Sequence, residues 1–400
     1  MASYDHTNSV CLSASETYSD VFYRIQSQFG DSANQLFSQC LKSRLEQFHE
    51  RFPEKRDDNI SSKINSSEFN VSSRTPLTFW PSDWCYYESL LLAHFSHWAE
   101  AWTHFQIWSL EQKYTAVQTR RINLNHWQAL PENEAEYDDG LVNDIDQNQK
   151  LFFTLHSPFA MVLKDAVAMI NLSTLVLELQ WYELLEHIEL SKSGTHFLLT
   201  YSDPQLEHPL LVSTARVNFA VGMQDWLYFS SFFQSKHWRS ISHTQQLTTL
   251  IQKGLLSAEA LLQEPRSQQE FDKLVWEHLV CPERSCEVIR LTVSGTKLQK
   301  MYYLYLSQKR LMKQLYEQQM MLSFVVVEQP LMIKYYESLS LGSYCQFGSC
   351  TLVGSDNPTY KGAWVVPQMH HALTSSDYRR YKQQTLQQIK KTRHNELNHA

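Results

Sequence analysis

The chain has 400 residues, 43% hydrophobic and 19% charged, with a formal net charge of -7. This is the balance of an ordinary globular protein with enough length for one large core or two smaller ones, and its acidity argues against nucleic-acid binding by general electrostatics. No apolar run reaches the roughly 20 residues that span a bilayer, and 7 cysteines behind the opening Met-Ala-Ser-Tyr-Asp-His, which has no basic start or apolar segment, predict a reducing cytoplasm.

From about Glu16 to Phe52 apolar residues recur at helical spacing, interrupted at Gly30-Asp31, which predicts two helices sharing one apolar face. Residues 54–76 are rich in Ser, Asn and charge and read as an exposed linker. Phe79 to Trp108, including Trp80, Trp84, Trp98 and Trp102, reads as one long buried helix. Its His94, His97 and His104 lack the HExxH spacing of a metal-binding helix and are taken as ordinary side chains. The acidic stretch 131–149 is predicted to be a solvated connection and the main boundary of the chain.

Leu151 to Leu190 is read as mostly helical. Thr195–Tyr201 and Pro209–Phe219, joined through Asp203-Pro204, predict a hairpin. The aromatics Trp226, Tyr228, Phe229, Phe232, Phe233 and Trp238 that follow could line an apolar tunnel, and core packing is the better reading.

The run Cys286-Glu-Val-Ile-Arg-Leu-Thr-Val293 reads as a buried strand that carries Glu287 and Arg290. An unpaired buried charge costs several kcal/mol on the order of general burial penalties, so both are paired with one another or with Arg216, or they line a site. A helix after Gly295, a strand over Leu322–Val327, a helix opening at Pro330 and stopping near Gly342, and two strands flanking the turn at 354–358 complete the segment. The pairs Cys281/Cys286 and Cys345/Cys350 lack the two-residue knuckle spacing of zinc sites, and no metal is predicted. After Pro367 a basic tail, with Arg379, Arg380, Lys382 and Lys390, reads as a solvated end helix or a patch on which an acidic protein docks.

The order strand, helix, strand, helix, hairpin resembles the C-terminal half of a GNAT-type acyltransferase. The run Glu287-Val-Ile-Arg290 resembles the Glu-x-x-Arg strand of LuxI-type acyl-homoserine-lactone synthases, and the hairpin ending Gly362-Ala-Trp-Val-Val-Pro367 is similar to theirs. Length and the extra N-terminal region resemble the LuxM/AinS/VanM-type autoinducer synthases more closely. The expected fold class is therefore α/β: a GNAT-like core over 150–370, a helical region over 1–149 and a basic tail over 371–400.

The resemblance implies amine acylation of S-adenosyl-L-methionine by an acyl thioester, then lactonisation with release of methylthioadenosine. Both are substrates, no further cofactor is implied, and acyl carrier protein is the expected partner. Glu287 is the expected general base, and Arg290 and Arg216 the expected grips for carboxylate or phosphate. Trp181 matches the tryptophan before the hairpin, although the family's acidic pair has no clear counterpart among Glu183, Glu186 and Glu189. Val293 and Phe324 lie on the two strands expected to part around the acyl donor. The single glycine in Ser294-Gly-Thr-Lys-Leu-Gln-Lys300 tilts the donor towards carrier protein rather than coenzyme A. Another N-acyltransferase using acyl-CoA, or a degenerate and non-catalytic acyltransferase fold, are the alternatives.

Overall fold

The structure, a computed structural model, describes residues 17–56, 60–72, 84–116, 121–127, 130–182, 194–220, 226–230, 233–234, 237–240, 243–327, 330–339, 342–351 and 358–399. The chain divides into two units, residues 1–117 with 176–185 and residues 118–175 with 186–400.

The first unit holds helices α1 (Tyr18–Phe29), α2 (Ser32–Arg51), α3 (Ile60–Ile64), α4 (Ser67–Ser72), α5 (Trp84–His94) and α6 (Trp98–Thr115). Thr17 and Asp20 form a reciprocal cap at the start of α1, and Gly30, at φ +55, turns the chain into α2. The linker predicted at 54–76 contains α3 and α4, with Ile60, Ile64 and Phe69 buried. The long aromatic helix is two helices. The first stops at His94, and His97, extended, caps the second, its Nδ1 accepting the Glu100 N–H at 3.2 Å. His104 stacks on Phe95 at 5.0 Å, a packing role. Phe79 and Trp80 lie outside the described residues.

The second unit is a mixed sheet of ten strands among the described residues: β1 (Tyr137–Asn143), β2 (Leu151–Thr154), β3 (Ser157–Val162), β4 (Thr195–Tyr201), β5 (Leu210–Phe219), β6 (Arg239–Ser240), β7 (Ser285–Val293), β8 (Leu322–Val327), β9 (Tyr344–Thr351) and β10 (Pro358–Val365). Their order is β1-β4-β5-β7-β8-β10-β9-β6, with β2 joined to β3 and β5. Its helices are α7 (Leu163–Asn171), α8 (His243–Gln252), α9 (Gln268–Glu277), α10 (Lys297–Glu317), α11 (Pro330–Leu339), α12 (Val366–Thr374) and α13 (Tyr378–His399). The pairs β7/β8 and β2/β5 are parallel and the others antiparallel. Among the described residues no helix is long and apolar enough to cross a membrane.

Two further expectations are corrected here. The acidic stretch contains β1, which pairs along β4 and belongs to the second unit, so it is not a solvated connection. Its carboxylates are met by cations of α10: Glu134 by Lys309 at 2.9 Å and Asp139 by Arg310 at 3.4 Å. Residues 151–162 form the β2/β3 hairpin, and helical turns begin only at Leu163, because aromatic and β-branched side chains there fit a pleated surface. The basic tail is α12 and α13, anchored by Tyr381, which is 1% exposed and packs against Tyr335 at 4.4 Å and Tyr305 at 5.1 Å. Arg379, Arg380 and Lys390 remain exposed, and the turn at 354–357 lies outside the described residues.

Alternation along the strands gives the sheet two faces. One carries Phe197, Leu199, Ala215, Val217, Val288, Val325 and Trp364 into a core with Tyr302, Tyr305, Tyr335 and Tyr381 of the helices. The other carries Leu322, Phe324, Ala363 and Val365 against Leu247 and Leu250 of α8 and Phe271 and Leu274 of α9. At the bulge between Lys361 and Gly362, a Cβ on Gly362 would lie 2.4 Å from the Cys345 carbonyl oxygen and 2.5 Å from the Tyr344 hydroxyl. Gly362→Ala is therefore expected to destabilise the fold by about 1–3 kcal/mol through overpacking. Denaturant unfolding would read this as a lower midpoint at unchanged slope.

Candidate active site

The centre of the sheet is where the parallel neighbours β7 and β8 part. β7 and β8 pair at Ser285/Leu322, Cys286/Ser323, Glu287/Phe324 and Val288/Val325, and there their ladder stops although both strands continue. The cause lies on the other side of β7. Thr214 pairs Thr292 while Arg216 pairs Ile289, so Arg290 and Leu291 together face Ala215 in a bulge. Arg290 sits in the bulge at φ +56, a left-handed conformation that costs a side-chain-bearing residue roughly 1–2 kcal/mol. A bulge bends its strand and re-aims its side chains, which here separates β7 from β8 just beyond Glu287.

On the face opposite the tyrosine-rich core a polar row crosses the strands. Glu287 is fully buried. Its Oε2 accepts from Asn218 Nδ2 at 2.9 Å and from the Leu227 backbone N–H at 3.2 Å, and its Oε1 accepts from the Tyr228 N–H. Burial pushes this carboxyl up to about 7, against the opposing pull of Asn218, the two N–H groups and the Arg216 charge. Arg216, two residues before Asn218 on β5, donates from Nε to Asn218 Oδ1 at 2.9 Å. Gly194, at φ +96, lies under this pair: a Cβ there would be 3.0 Å from Arg216 Nε and 3.3 Å from Asn218 Oδ1.

His196 faces Arg216 across β4 and β5, is 2% exposed, and shares Nδ1 with the Gly194 carbonyl at 3.2 Å. Burial holds this imidazole down to about 4, countered by the Gly194 bond and reinforced by Arg216 and Arg290, so the ring is neutral. Two guanidiniums, a neutral imidazole and a carboxylate that titrates near neutrality can bind an anionic group and move a proton.

A second buried polar group backs Glu287. Lys361 of β10 and Asp272 of α9, 0% and 1% exposed, form an ion pair, and Lys361 Nζ also donates to the Phe233 carbonyl at 2.7 Å. Tyr228 donates its hydroxyl to Asp272 Oδ1 at 3.2 Å and presents its ring 4.1 Å from Lys361 Nζ. At the far end of β7, fully buried Ser294 meets His156 Nε2 at 2.9 Å, and Thr292 donates to Asn171 of α7 at 3.5 Å. Among the described residues no three His, Cys, Asp or Glu side chains gather as a metal site.

The structure thus places Glu287 and Arg216 together through Asn218, with Arg290 close enough to act on the same histidine as Arg216. Val293 is half-buried at the end of β7, paired with Ser213. The Phe324 side chain is fully buried against Tyr228 at 5.1 Å, Trp226 at 5.8 Å and Phe229 at 6.0 Å, so this aromatic group packs as core around it. Phe232 lies outside the described residues, as do Glu183, Glu186 and Glu189. Trp181 is buried within the first unit.

Sequence reasoning missed Asn218, His196, Asp272 and Lys361, and read Tyr228 only as one of the aromatics of a tunnel or core. The period of two along β5 would have aligned Asn218 with Arg216, and a lysine inside the run Tyr360-Lys-Gly-Ala-Trp-Val365 was a visible charge in a buried strand.

The family described as acyl homoserine lactone synthase matches residues 18–394. The chain is 29% identical to the acyl-homoserine-lactone synthase OpaM of Vibrio parahaemolyticus over 347 residues, covering 87% of this chain and 86% of that protein. It is also 29% identical to the acyl-homoserine-lactone synthase LuxM of Vibrio harveyi over 349 residues, with the same two coverages. Against LuxM of Vibrio atlanticus it is 26% identical over 348 residues, covering 87% of each chain. No solved structure matches it.

Proposed function

The chain belongs to the acyl-homoserine-lactone synthase family and is an acyltransferase of quorum-sensing autoinducer synthesis, and we propose that it acylates the amine of S-adenosyl-L-methionine and closes the product to a lactone in the cytoplasm. The observation that carries this reading is the parting of β7 from β8 immediately after a buried carboxylate that titrates near 7. In a GNAT-like core, the fold this strand order supports, the gap between such strands takes the extended pantetheine arm of an acyl donor by strand-like pairing.

The substrate amine attacks the thioester carbonyl and its proton passes to Glu287, directly or through a water. Collapse of the tetrahedral intermediate breaks the C–S bond, the proton goes to the leaving thiolate, and an amide remains. Arg216 and Arg290 grip the methionyl carboxylate. That carboxylate then attacks the carbon bearing the sulfonium, the C–S bond breaks, and neutral methylthioadenosine leaves as the lactone closes. Acyl carrier protein is the proposed donor, with exposed Arg379, Arg380 and Lys390 as cations available to its acidic surface.

Mass spectrometry of organic extracts from cells with and without the chain tests this. A chain-dependent species carrying the homoserine-lactone fragment is expected. Purified protein should move label from the methionyl group of S-adenosylmethionine into that lactone and release methylthioadenosine in equal amount. Soluble protein that makes no lactone from varied carrier-bound and coenzyme A-bound acyl groups would overturn the reading.

A further inference from the structure

Glu287 is held by a piece of irregular backbone rather than by a helix or strand. Two of its three donors are the N–H groups of Leu227 and Tyr228, in a single turn over Leu227–Phe229. Such a turn has no ladder of its own, so something else must fix the direction of its N–H groups.

The contacts of Tyr228 identify what does so. Its hydroxyl donates to Asp272, its ring lies 4.1 Å from Lys361 Nζ, and its carbonyl accepts from Gln234 Nε2 at 3.1 Å. Gln234 Nε2 also reaches Asp272 Oδ2 at 3.2 Å, and Gln268 donates to Asp272 Oδ1 at 2.7 Å. Lys361 reaches the same segment a second time through the Phe233 carbonyl. A buried ion pair contributes little net stability compared with apolar side chains of equal volume, so stability alone does not account for it.

We infer that Lys361 and Asp272 are positioning residues for Glu287: together they lock the Tyr228 turn so that its two backbone N–H groups meet the carboxylate, with the buried Lys361 charge behind that turn. This deepens the reading of Glu287 as proton acceptor and rests on it. The charged and titratable groups around Glu287 are Arg216 on β5, Cys286 on β7, Tyr228 in the turn, Lys361 on β10 and Asp272 on α9, with His196 and Arg290 further along the polar row. Lys361 is the cation on the side away from Arg216. Its charge favours ionised Glu287, and removal makes that carboxyl a weaker acid.

The test is a carboxyl NMR titration of full-length protein carrying 13C-labelled glutamate, with the Glu287 resonance assigned by its loss in Glu287→Gln. Lys361→Met is expected to raise the midpoint by about half a pH unit or more, a roughly threefold weaker acid. The Leu227 and Tyr228 amides should exchange about tenfold faster with solvent, a loosening on the scale of local opening. Should the single variant fail to fold, Lys361→Met combined with Asp272→Leu leaves no uncompensated buried charge and carries the same amide-exchange expectation, with a smaller rise in the midpoint because an anion is lost with the cation. An unmoved midpoint in Lys361→Met, or unchanged Leu227 and Tyr228 amide exchange in whichever variant folds, overturns the inference. Because titration needs no turnover, a failure of lactone synthesis would overturn the functional reading and leave this result standing.

Discussion

Glu287→Gln is expected to lower kcat by about 10²–10⁴-fold, the range supplied by a positioned general base, while leaving the fold intact. The amide carbonyl still accepts from Asn218 and the Leu227 N–H, which now share one oxygen, and only the Tyr228 N–H is left facing the amide nitrogen. Glu287→Ala is the poorer probe, since each stranded donor would cost about 1–3 kcal/mol and unfolding would mimic loss of chemistry. In the wild type, kcat/KM should rise with pH through about 7, where the carboxylate forms.

Stability moves the opposite way. Burial raises this carboxyl above its unfolded value of 4.5, so its contribution to folding is fully present below 4.5 and is lost as pH rises through about 7. Glu287→Gln should thus gain stability relative to wild type above pH 7 and not at pH 4. Thermal melts across that window, set beside the rate profile, separate the two roles. A variant that retains wild-type kcat would remove Glu287 from the chemistry.

The second large effect is expected at Arg290, where conformation and charge can be pulled apart. Arg290→Ala and Arg290→Gly should each lower kcat/KM by roughly 10- to 100-fold, the loss of one charge-assisted hydrogen bond at about 1.5–3 kcal/mol. The two variants should differ in stability. At φ +56 a glycine escapes the steric cost that an alanine still bears, so Arg290→Gly should be the more stable by about 1 kcal/mol. Rates measured well below both melting temperatures give the decisive comparison. Activity that tracked stability between them would mean that Arg290 only ties strands together.

Much of the fold was legible in the sequence because it depends on neighbours in the chain. The run Leu322–Val327 is β8 as predicted, Pro330 opens α11, and the hairpin around Asp203-Pro204 is β4 and β5, since period-two apolar runs and Pro or Gly punctuation act locally. The same local signal misread the aromatic stretch as one helix, because apolar spacing does not register a cap such as His97.

Residue types in their local pattern marked Glu287 and Arg290 as charges in a buried strand that need partners or work to do, and the resemblance set Arg216 beside them as an expectation. How they meet was decided by tertiary structure. The bulge that puts Arg290 at positive φ and parts β7 from β8 exists only in the register of β7 against β5. The Asn218 that joins Arg216 to Glu287 acts across 69 residues of chain, and the Asp272 that pairs with Lys361 acts across 89. Such contacts carry no periodic signature, because their sequence separation is set by how strands are ordered in the sheet while their energy comes from burying charge beside charge.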